Sequence, residues 1–263
     1  MLDRNTRLKL QNEATKEFLS LSNHQLKGSE VLVFIPVHNE EFTISKVLEQ
    51  VKQNCNFDIL VVDDGSTDST NSITKQLGVE VLKHPSCLGS MVLLSGLSVG
   101  QALNYKYIIK IDGDEQHDAK DIPRLYAHAV ETKADMVIGS RHLKKYSGQL
   151  WSIQGLGMRF CSKMVSTLSR RKVTDVTSGY LIWNRRAVQT TIQAFNYGLF
   201  GDDSTILIEQ YLFAAKKGLR IEEINVVMSP RQYGESKSYS KKKLAMFPFN
   251  LVRSVFRVLL INK

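Results

Sequence analysis

Residues 107–118 read Tyr107-Ile108-Ile109-Lys110-Ile111-Asp112-Gly113-Asp114-Glu115-Gln116-His117-Asp118. A short apolar run, the pattern of a buried strand, ends abruptly in two carboxylates one residue apart. Strands end where the backbone becomes accessible, so Asp112 and Asp114 are expected at a sheet edge facing a cleft. Two carboxylates at one point are costly unless a positive charge neutralises them. Mg²⁺, which takes one or two carboxylates plus substrate phosphates, suits such a pair, and Gln116 adds a neutral oxygen nearby. The same pattern also serves calcium loops, helix caps and surface turns, so the context has to decide.

That context repeats the motif. Val31–Pro36 is an apolar strand run followed by Val37-His38-Asn39-Glu40-Glu41, and helical spacing runs from Glu40 to Asn54 through Ile44, Val47, Leu48 and Val51. Asp58–Asp63 is a second run, ending in Asp63-Asp64-Gly65-Ser66-Thr67-Asp68 before a helix over 67–77 with Asp68 near its start. Val79–Leu82, a helix over 91–103, the strand Tyr107–Ile111, a helix over 122–132 and the strand Ala134–Ser140 continue the alternation. Apolar strands alternating with amphipathic helices predict an α/β fold, a parallel sheet with helices on both faces. Ligands of such sheets bind at the carboxyl ends of strands. Asp63-Asp64, Asp112-Gly113-Asp114 and Ser140-Arg141 all fall there.

Beyond Arg141 the rhythm loosens. A loop-rich passage over 143–157, a helix over 158–168, a turn at 175–180 leading to a strand, a helix over 203–217 and a strand over 219–228 are expected. Residues 1–29 read as a polar helical extension, 30–230 as the main domain, and 231–263 as a polar loop followed by an amphipathic helix. That last segment begins Lys241-Lys242-Lys243 and turns apolar and aromatic, interrupted by Pro248, Asn250, Arg253 and Arg257. It suits an interfacial helix on anionic lipid, or equally a terminal helix docked on the domain or on a second subunit of a homo-oligomer.

Composition narrows the class. Lys and Arg number 35 against 26 Asp and Glu in 263 residues, an excess of nine that suggests an anionic partner: nucleic acid, nucleotide or acidic membrane. Three scattered cysteines, Cys55, Cys87 and Cys161, form no Cys-x-x-Cys and argue against a disulfide framework or a zinc site. No apolar leader and no uninterrupted apolar stretch of about 18 residues is seen, so neither a signal peptide nor a spanning helix is expected. No Gly-x-Gly-x-x-Gly follows the first strand and no Walker pattern occurs, which disfavours a dinucleotide site and a P-loop. His117 reads as a metal or substrate ligand or as a structural imidazole. Asn39 reads as a ligand contact or as a plain helix cap.

Six motifs now stand in order: Ile35–Glu41, Val61–Asp68, Ile111–His117, Gly139-Ser140-Arg141, Asp175–Tyr180 and Arg231-Gln232-Tyr233-Gly234-Glu235-Ser236-Lys237. Together they resemble family 2 glycosyltransferases of the GT-A fold, and within them the dolichyl- or polyprenyl-phosphate mannosyl- and glucosyltransferases. The resemblance runs from about Val31 to Lys237. It implies a nucleotide-diphospho-sugar transferase fold with a mostly parallel, Rossmann-like sheet, and transfer of a hexose, with inversion, from a donor of GDP-mannose or UDP-glucose type to a polyprenyl phosphate. A nucleotide sugar, not nucleic acid, is then the anionic partner.

The resemblance also implies roles. Pro36, His38, Asn39, Glu40 and Asp64, with Asp63 beside them, match positions holding the nucleotide. Asp112, Asp114 and Gln116 match those holding Mg²⁺ or Mn²⁺ on the diphosphate. Arg141, Arg159 and Ser162 match contacts to the acceptor phosphate, and Arg231, Ser236 and Lys237 the loop closing over the donor. A lipid phosphate is already ionised and needs no strong base. A saccharide or glycolipid hydroxyl, in surface-polysaccharide assembly, does, and Asp202 or Asp203 is then the candidate, Asp203 being equally apt as a helix cap. Such an enzyme is expected at the cytoplasmic, inner face of a membrane, in peripheral contact with it. The chain departs from the family pattern at Ser86-Cys87-Leu88-Gly89-Ser90-Met91, where a lysine-containing glycine loop is usual, and at Leu181, where an arginine often follows the Ser-Gly-aromatic motif. A nucleotidyltransferase would show a glycine- and basic-rich loop after the first strand. A non-enzymatic anion-binding module would tolerate loss of Asp112 or Asp114.

Overall fold

Sixteen elements alternate along the chain, in a computed structural model that describes residues 3–21, 26, 28–85, 89–143, 153–200, 205–231, 233 and 241–261. They are α1 (Arg4–Ser20), β1 (Val31–Val37), α2 (Ile44–Asn54), β2 (Asp58–Asp63), α3 (Thr70–Gln76), β3 (Glu80–Lys83), α4 (Gly89–Ala102), β4 (Tyr107–Lys110), α5 (Asp121–Thr132), β5 (Met136–Ser140), α6 (Ile153–Ser169), β6 (Leu181–Asn184), α7 (Arg185–Asn196), α8 (Ile206–Lys216), β7 (Ile221–Asn225) and α9 (Lys241–Leu260). The strands form one sheet in the order β3-β2-β1-β4-β6-β5-β7.

Period-two alternation divides the core. Val31, Val33 and Ile35 of β1 join Ile44, Val47 and Leu48 of α2 and Ile122 and Leu125 of α5 on one face. Leu32 and Phe34 join Leu97 of α4, Val165 of α6, Phe195 of α7 and Phe213 of α8 on the other. Strands so buried on both faces read as continuous apolar runs, which is why they were legible. The N-terminal helix α1 packs on α4, with Phe18 buried in the same core.

The sheet departs from a wholly parallel one at β6. This strand runs antiparallel to both neighbours, β4 and β5. Pairing Lys110 with Leu181 puts the turn before β6 against the end of β4, so an antiparallel strand delivers residues 175–180 to the same edge as the parallel ones. The sequence pattern also missed α7, whose cap was present: Asn184 Oδ1 accepts from the Ala187 amide at 2.9 Å. Helix α6 begins at Ile153, inside the passage expected to be loop-rich, and α2 begins at Ile44 after Thr43, so Asn39 is not its cap.

The last helix docks through Leu251, Ser254 and Val258, which are buried, and Lys216 donates to the carbonyls of Val258 and Leu259 at 2.9 and 2.8 Å, closing its C-terminus. Pro248 lies within it without ending it. Its other side leaves Phe249, Val252, Phe256, Leu259 and Leu260 exposed. Among the described residues, no helix is long and apolar enough to cross a membrane. Cys55 and Cys161 are free thiols; Cys87 lies outside the described residues.

Candidate active site

Parallel pairing fixes which loops meet. Val37 pairs with Asp63, and Asp63 with Lys83, while β4 runs beside β1 with Phe34 opposite Lys110. The segments after β1, β2 and β4 therefore leave the sheet side by side. The first two are stitched together. Asn39 adopts φ 56°, a left-handed conformation that asparagine tolerates. Its amide donates to Ser66 Oγ at 3.0 Å, and its side-chain oxygen accepts from the Thr67 amide at 2.8 Å. His38 Nδ1 donates to the Asp64 carbonyl at 2.8 Å, and the Glu40 amide to Thr70 Oγ1 at 2.8 Å.

The adjacent acids Asp63 and Asp64 divide their work. Asp63 is fully buried and accepts from the Ser66 amide at 2.8 Å and from Asn71 at 3.3 Å, which shapes the turn. Asp64 stays partly exposed at the edge, with one oxygen 3.6 Å from Nδ1 of the buried His84. Pro36 lies at the end of β1, where its carbonyl approaches Gly113.

The carboxylate turn is pressed against this pair of loops. A Cβ on Gly113 would lie 2.8 Å from Val37 Cγ1 and 3.3 Å from the Pro36 carbonyl, so only glycine fits there. Thr43 Oγ1 donates to the Gly113 carbonyl at 2.7 Å. On the other side, a Cβ on Gly179 would meet Lys110 Nζ at 3.0 Å and Asp112 Oδ2 at 3.2 Å. Lys110 pairs with Asp112 and also donates to the Gly179 carbonyl at 3.2 Å. Burial alone would raise the Asp112 pKa; Lys110, then His117 and Arg231, overcome it and hold the carboxylate below its ordinary range.

Asp114 has the reverse balance. Its burial and the adjacent Asp112 charge push its pKa up to about 6, against the Gln116 amide and Arg231. Burial also raises Glu40, which Arg231 only partly offsets. The Arg231 guanidinium bridges the two acids, 3.1 Å from Asp114 and 2.5 Å from Glu40. It arrives there because the strand carrying β7 runs on to Met228, which bridges to His117, and the Ser229 amide donates to the Gln116 carbonyl at 2.8 Å. The Gln116 side chain donates to the Ser229 carbonyl at 3.3 Å.

His117 is a structural imidazole. Its Nδ1 accepts from the Asp112 amide at 3.1 Å and its ring stacks on Tyr180 with centroids 4.7 Å apart. Burial, reinforced by Lys110 and Arg141 and opposed by Asp112, brings its pKa down to about 4, so it is neutral at pH 7.

The turn before β6 supplies the far wall. Asp175, fully buried, holds the Arg141 guanidinium in a fork, 2.7 Å to Nε and 2.8 Å to Nη2, and takes the Arg141 amide at 3.0 Å. Ser162, from α6, is buried and accepts the Val176 amide at 3.2 Å. Arg159 is exposed on the same helix. Asp202, Asp203, Ser236 and Lys237 lie outside the described residues.

The structure thus brings Glu40, Asp112, Asp114, Gln116 and Arg231 to one point, with His38, Asn39 and Asp64 on one side and Arg141 on the other. Lys110 and Thr43, which the sequence did not single out, and Asp175 and Tyr180, which it placed in a motif without a role, complete it. The donor set suits a hard divalent cation. Three carboxylates crowd one edge, two of them with raised pKa values, and an arginine bridges those two. Among the described residues no group of three or more acidic, His or Cys side chains is arranged to hold a metal ion.

The family model described as Glycosyl transferase family 2 matches residues 32–191. Polyprenol monophosphomannose synthase of Mycolicibacterium smegmatis is 29% identical over 236 residues, covering 82% of this chain and 84% of that protein. Undecaprenyl-phosphate mannosyltransferase of Micrococcus luteus is 29% identical over 222 residues, covering 79% and 86%. Glucosyl-3-phosphoglycerate synthase of Mycobacterium tuberculosis, solved with Mn²⁺, UDP and glucosyl-3-phosphoglycerate, superposes with TM-score 0.66 at 18% identity, covering 90% of this chain and 82% of that one. The shared architecture is the GT-A fold.

Proposed function

Since the chain belongs to glycosyl transferase family 2 and is a glycosyltransferase, we propose that it moves a hexose, with inversion, from a nucleotide-diphosphate sugar to a polyprenyl phosphate. The convergence of Asp112, Asp114, Glu40 and Arg231 at the edge that also carries Arg141 supports this reading most directly. It provides one place for a metal-bound diphosphate and, beside it, basic side chains for a second anion. The names of the M. smegmatis and M. luteus relatives support the lipid-phosphate acceptor and a mannose donor.

Asp112 and Asp114, with Gln116, would hold Mg²⁺ or Mn²⁺, which when bound neutralises charge on the departing nucleoside diphosphate. His38, Asn39 and Asp64 line the nucleotide end, with Pro36 and Glu40 beside them; Asp63 shapes that turn from within. Arg231, at the start of the 231–237 loop, brings a guanidinium to the same place, and Lys237 belongs to the loop proposed to close over the donor. Arg141, Arg159 and Ser162 form the acceptor side. A phosphate oxygen attacks already ionised, so the reaction needs no proton abstraction at that atom. Asp202 and Asp203 retain a base role only if a hydroxyl accepts the sugar.

The exposed side of α9 gives the enzyme a route to a lipid carrier. Phe249, Val252, Phe256, Leu259 and Leu260 recur at helical spacing, Arg253 is exposed among them, and three lysines open the helix. An apolar stripe flanked by cations lies well in an anionic membrane interface.

The test is to incubate the protein with Mn²⁺, a panel of nucleotide sugars and undecaprenyl phosphate, and to follow nucleoside diphosphate release and glycolipid. Both are expected for one donor, of the GDP-mannose or UDP-glucose type. Binding of no nucleotide sugar would overturn the donor reading. Transfer to a saccharide alone would overturn the acceptor.

A further inference from the structure

Of the three acceptor residues expected from the resemblance, two are already engaged. Arg141 points its fork at Asp175, and Ser162 Oγ is buried against the Val176 amide. His142, which follows Arg141, shows the opposite condition. Neither of its ring nitrogens has a hydrogen-bond partner among the described residues, and both are shielded from solvent. Its backbone is fixed, its amide donating to Ser140 Oγ at 3.1 Å, and that hydroxyl pairing with Thr174 Oγ1 at 2.6 Å. An imidazole is amphoteric, and leaving its polar atoms unmatched in a folded protein is costly, so each such group calls for an explanation.

The charged groups facing the ring are Asp175, Arg141 and Arg159. Burial and the two guanidiniums favour the neutral imidazole, against Asp175. A neutral imidazole still carries one N–H. Set beside Asp175 and two arginines, that donor lacks an acceptor among the described residues, and the two guanidiniums favour one bearing negative charge. The residue as a whole is only half-buried, and a half-turn about χ2, a torsion with broad two-fold preference, exchanges ring nitrogens with ring carbons.

We propose that His142 donates a hydrogen bond to the phosphate monoester of the acceptor, and so completes, with Arg159 and the anchored Arg141, the anion site on the far wall. This rests on the acceptor reading above and assigns that site a residue outside the resemblance. His142 is a binding residue; it takes no proton from the attacking oxygen.

Farnesyl phosphate is a soluble probe of the site, farnesol its uncharged control, and inorganic phosphate the free-anion control. Wild type, His142→Phe and His142→Gln are titrated with each, and the His142 ring resonances of the wild type are followed by NMR. Farnesyl phosphate is expected to bind and shift the ring, farnesol to do neither, and inorganic phosphate to shift the ring only weakly. The Phe variant should lose about 10- to 100-fold in affinity, the magnitude of one hydrogen bond to a charged group. The Gln variant, which keeps an N–H, should lose much less, while nucleotide binding stays unchanged in both. Wild-type affinity in the Phe variant, or an unshifted ring with farnesyl phosphate bound, overturns the role of His142 and leaves the acceptor reading standing. A ring that responds equally to inorganic phosphate and to farnesyl phosphate overturns the lipid-phosphate assignment in favour of a free-anion site. A wild type that binds neither overturns both.

Discussion

Asp112 and Asp114 stand one residue apart in opposite electrostatic states, the first held below the usual carboxylate range by Lys110 and the second pushed up to about 6. The difference comes from what each faces: Lys110 for Asp112, and for Asp114 the charges of Asp112 and Glu40 with one shared arginine. At neutral pH the second charge is sustained at a cost that a divalent cation would relieve.

That cost predicts a pH-dependent gain from neutralising Asp114. Its folded pKa lies above the ordinary value of an aspartate, so its contribution favours folding below the unfolded pKa and is lost as pH rises through about 6. In chelator, Asp114→Asn is expected to be more stable than wild type at pH 8 by about 1–3 kcal/mol, several degrees in Tm. The gap should close toward pH 4. Adding Mn²⁺ should raise the wild-type Tm more than that of the variant. Differential scanning calorimetry across pH checks this; a variant less stable at pH 8 than at pH 4, relative to wild type, contradicts it.

Activity should respond in the other direction. Asp112→Asn and Asp114→Asn are each expected to lower kcat by about 10²- to 10³-fold, the scale of losing a positioned electrostatic contact to the leaving group. Metal-dependent binding of the nucleotide sugar should weaken in parallel. Isothermal titration with and without Mn²⁺ separates this from unfolding, and near-normal turnover in either variant would contradict the metal-holding role proposed for that carboxylate.

The Arg141–Asp175 fork is a different kind of feature. Burial would raise the Asp175 pKa, but the Arg141 hydrogen bonds and charge keep it low, so its stabilisation is present at neutral pH and lost on acidification through the folded pKa. Asp175→Ala strands the guanidinium and should cost about 3–5 kcal/mol, read by urea denaturation. In Asp175→Asn, which keeps shape and one acceptor, the KM for the lipid phosphate should rise while that for the donor stays within about twofold, a change too small to signal loss of a contact. An equal rise in both would place the pair outside the acceptor side.

His117 should leave the neutral-pH activity profile alone. With its pKa near 4 it does not titrate between pH 5 and 8. His117→Phe preserves stacking on Tyr180 but leaves the Asp112 amide without its acceptor, at a cost of about 1–3 kcal/mol. The variant is expected to be slower, with the shape of its pH–rate profile above pH 5 unchanged. A lost ionisation near neutrality would make the imidazole an acid or base.

The face of α9 can be tested without disturbing the core. Phe256 and Leu260 are exposed by 60% and 77%, so replacing both by Glu removes apolar contact and adds repulsion without opening a cavity. Sedimentation with phosphatidylglycerol vesicles should fall by tenfold or more, about 1.4 kcal/mol or above, at unchanged Tm. Undiminished binding would assign this stripe to another partner.

How much was readable in advance follows the physics. Strands buried on both faces announce themselves as apolar runs, and an acid pair closing such a run is visible without a structure. The direction of β6 was not, because Leu181-Ile182-Trp183-Asn184 has the same composition either way and only its pairing with Lys110 sets the polarity. Helix α7 was hidden by its opening Arg185-Arg186, although Asn184 is a good cap. Lys110 is the one charged residue within an apolar strand, and its spacing of two residues from Asp112, with which it pairs, was the available signal. Nothing local linked Asp175 to Arg141, or Arg231 to Glu40, since those contacts span 34 and 191 residues.

Transfer to a phosphate oxygen is read most directly from the product. The protein, Mn²⁺, GDP-mannose or UDP-glucose, and equal amounts of undecaprenyl phosphate, undecaprenol and a saccharide acceptor are combined, and the lipids and sugars are analysed by mass spectrometry. One hexose added to undecaprenyl phosphate as a phosphodiester, with matching release of GDP or UDP and unmodified undecaprenol, is the predicted result. Hexose appearing on the saccharide, with undecaprenyl phosphate unchanged, would contradict it.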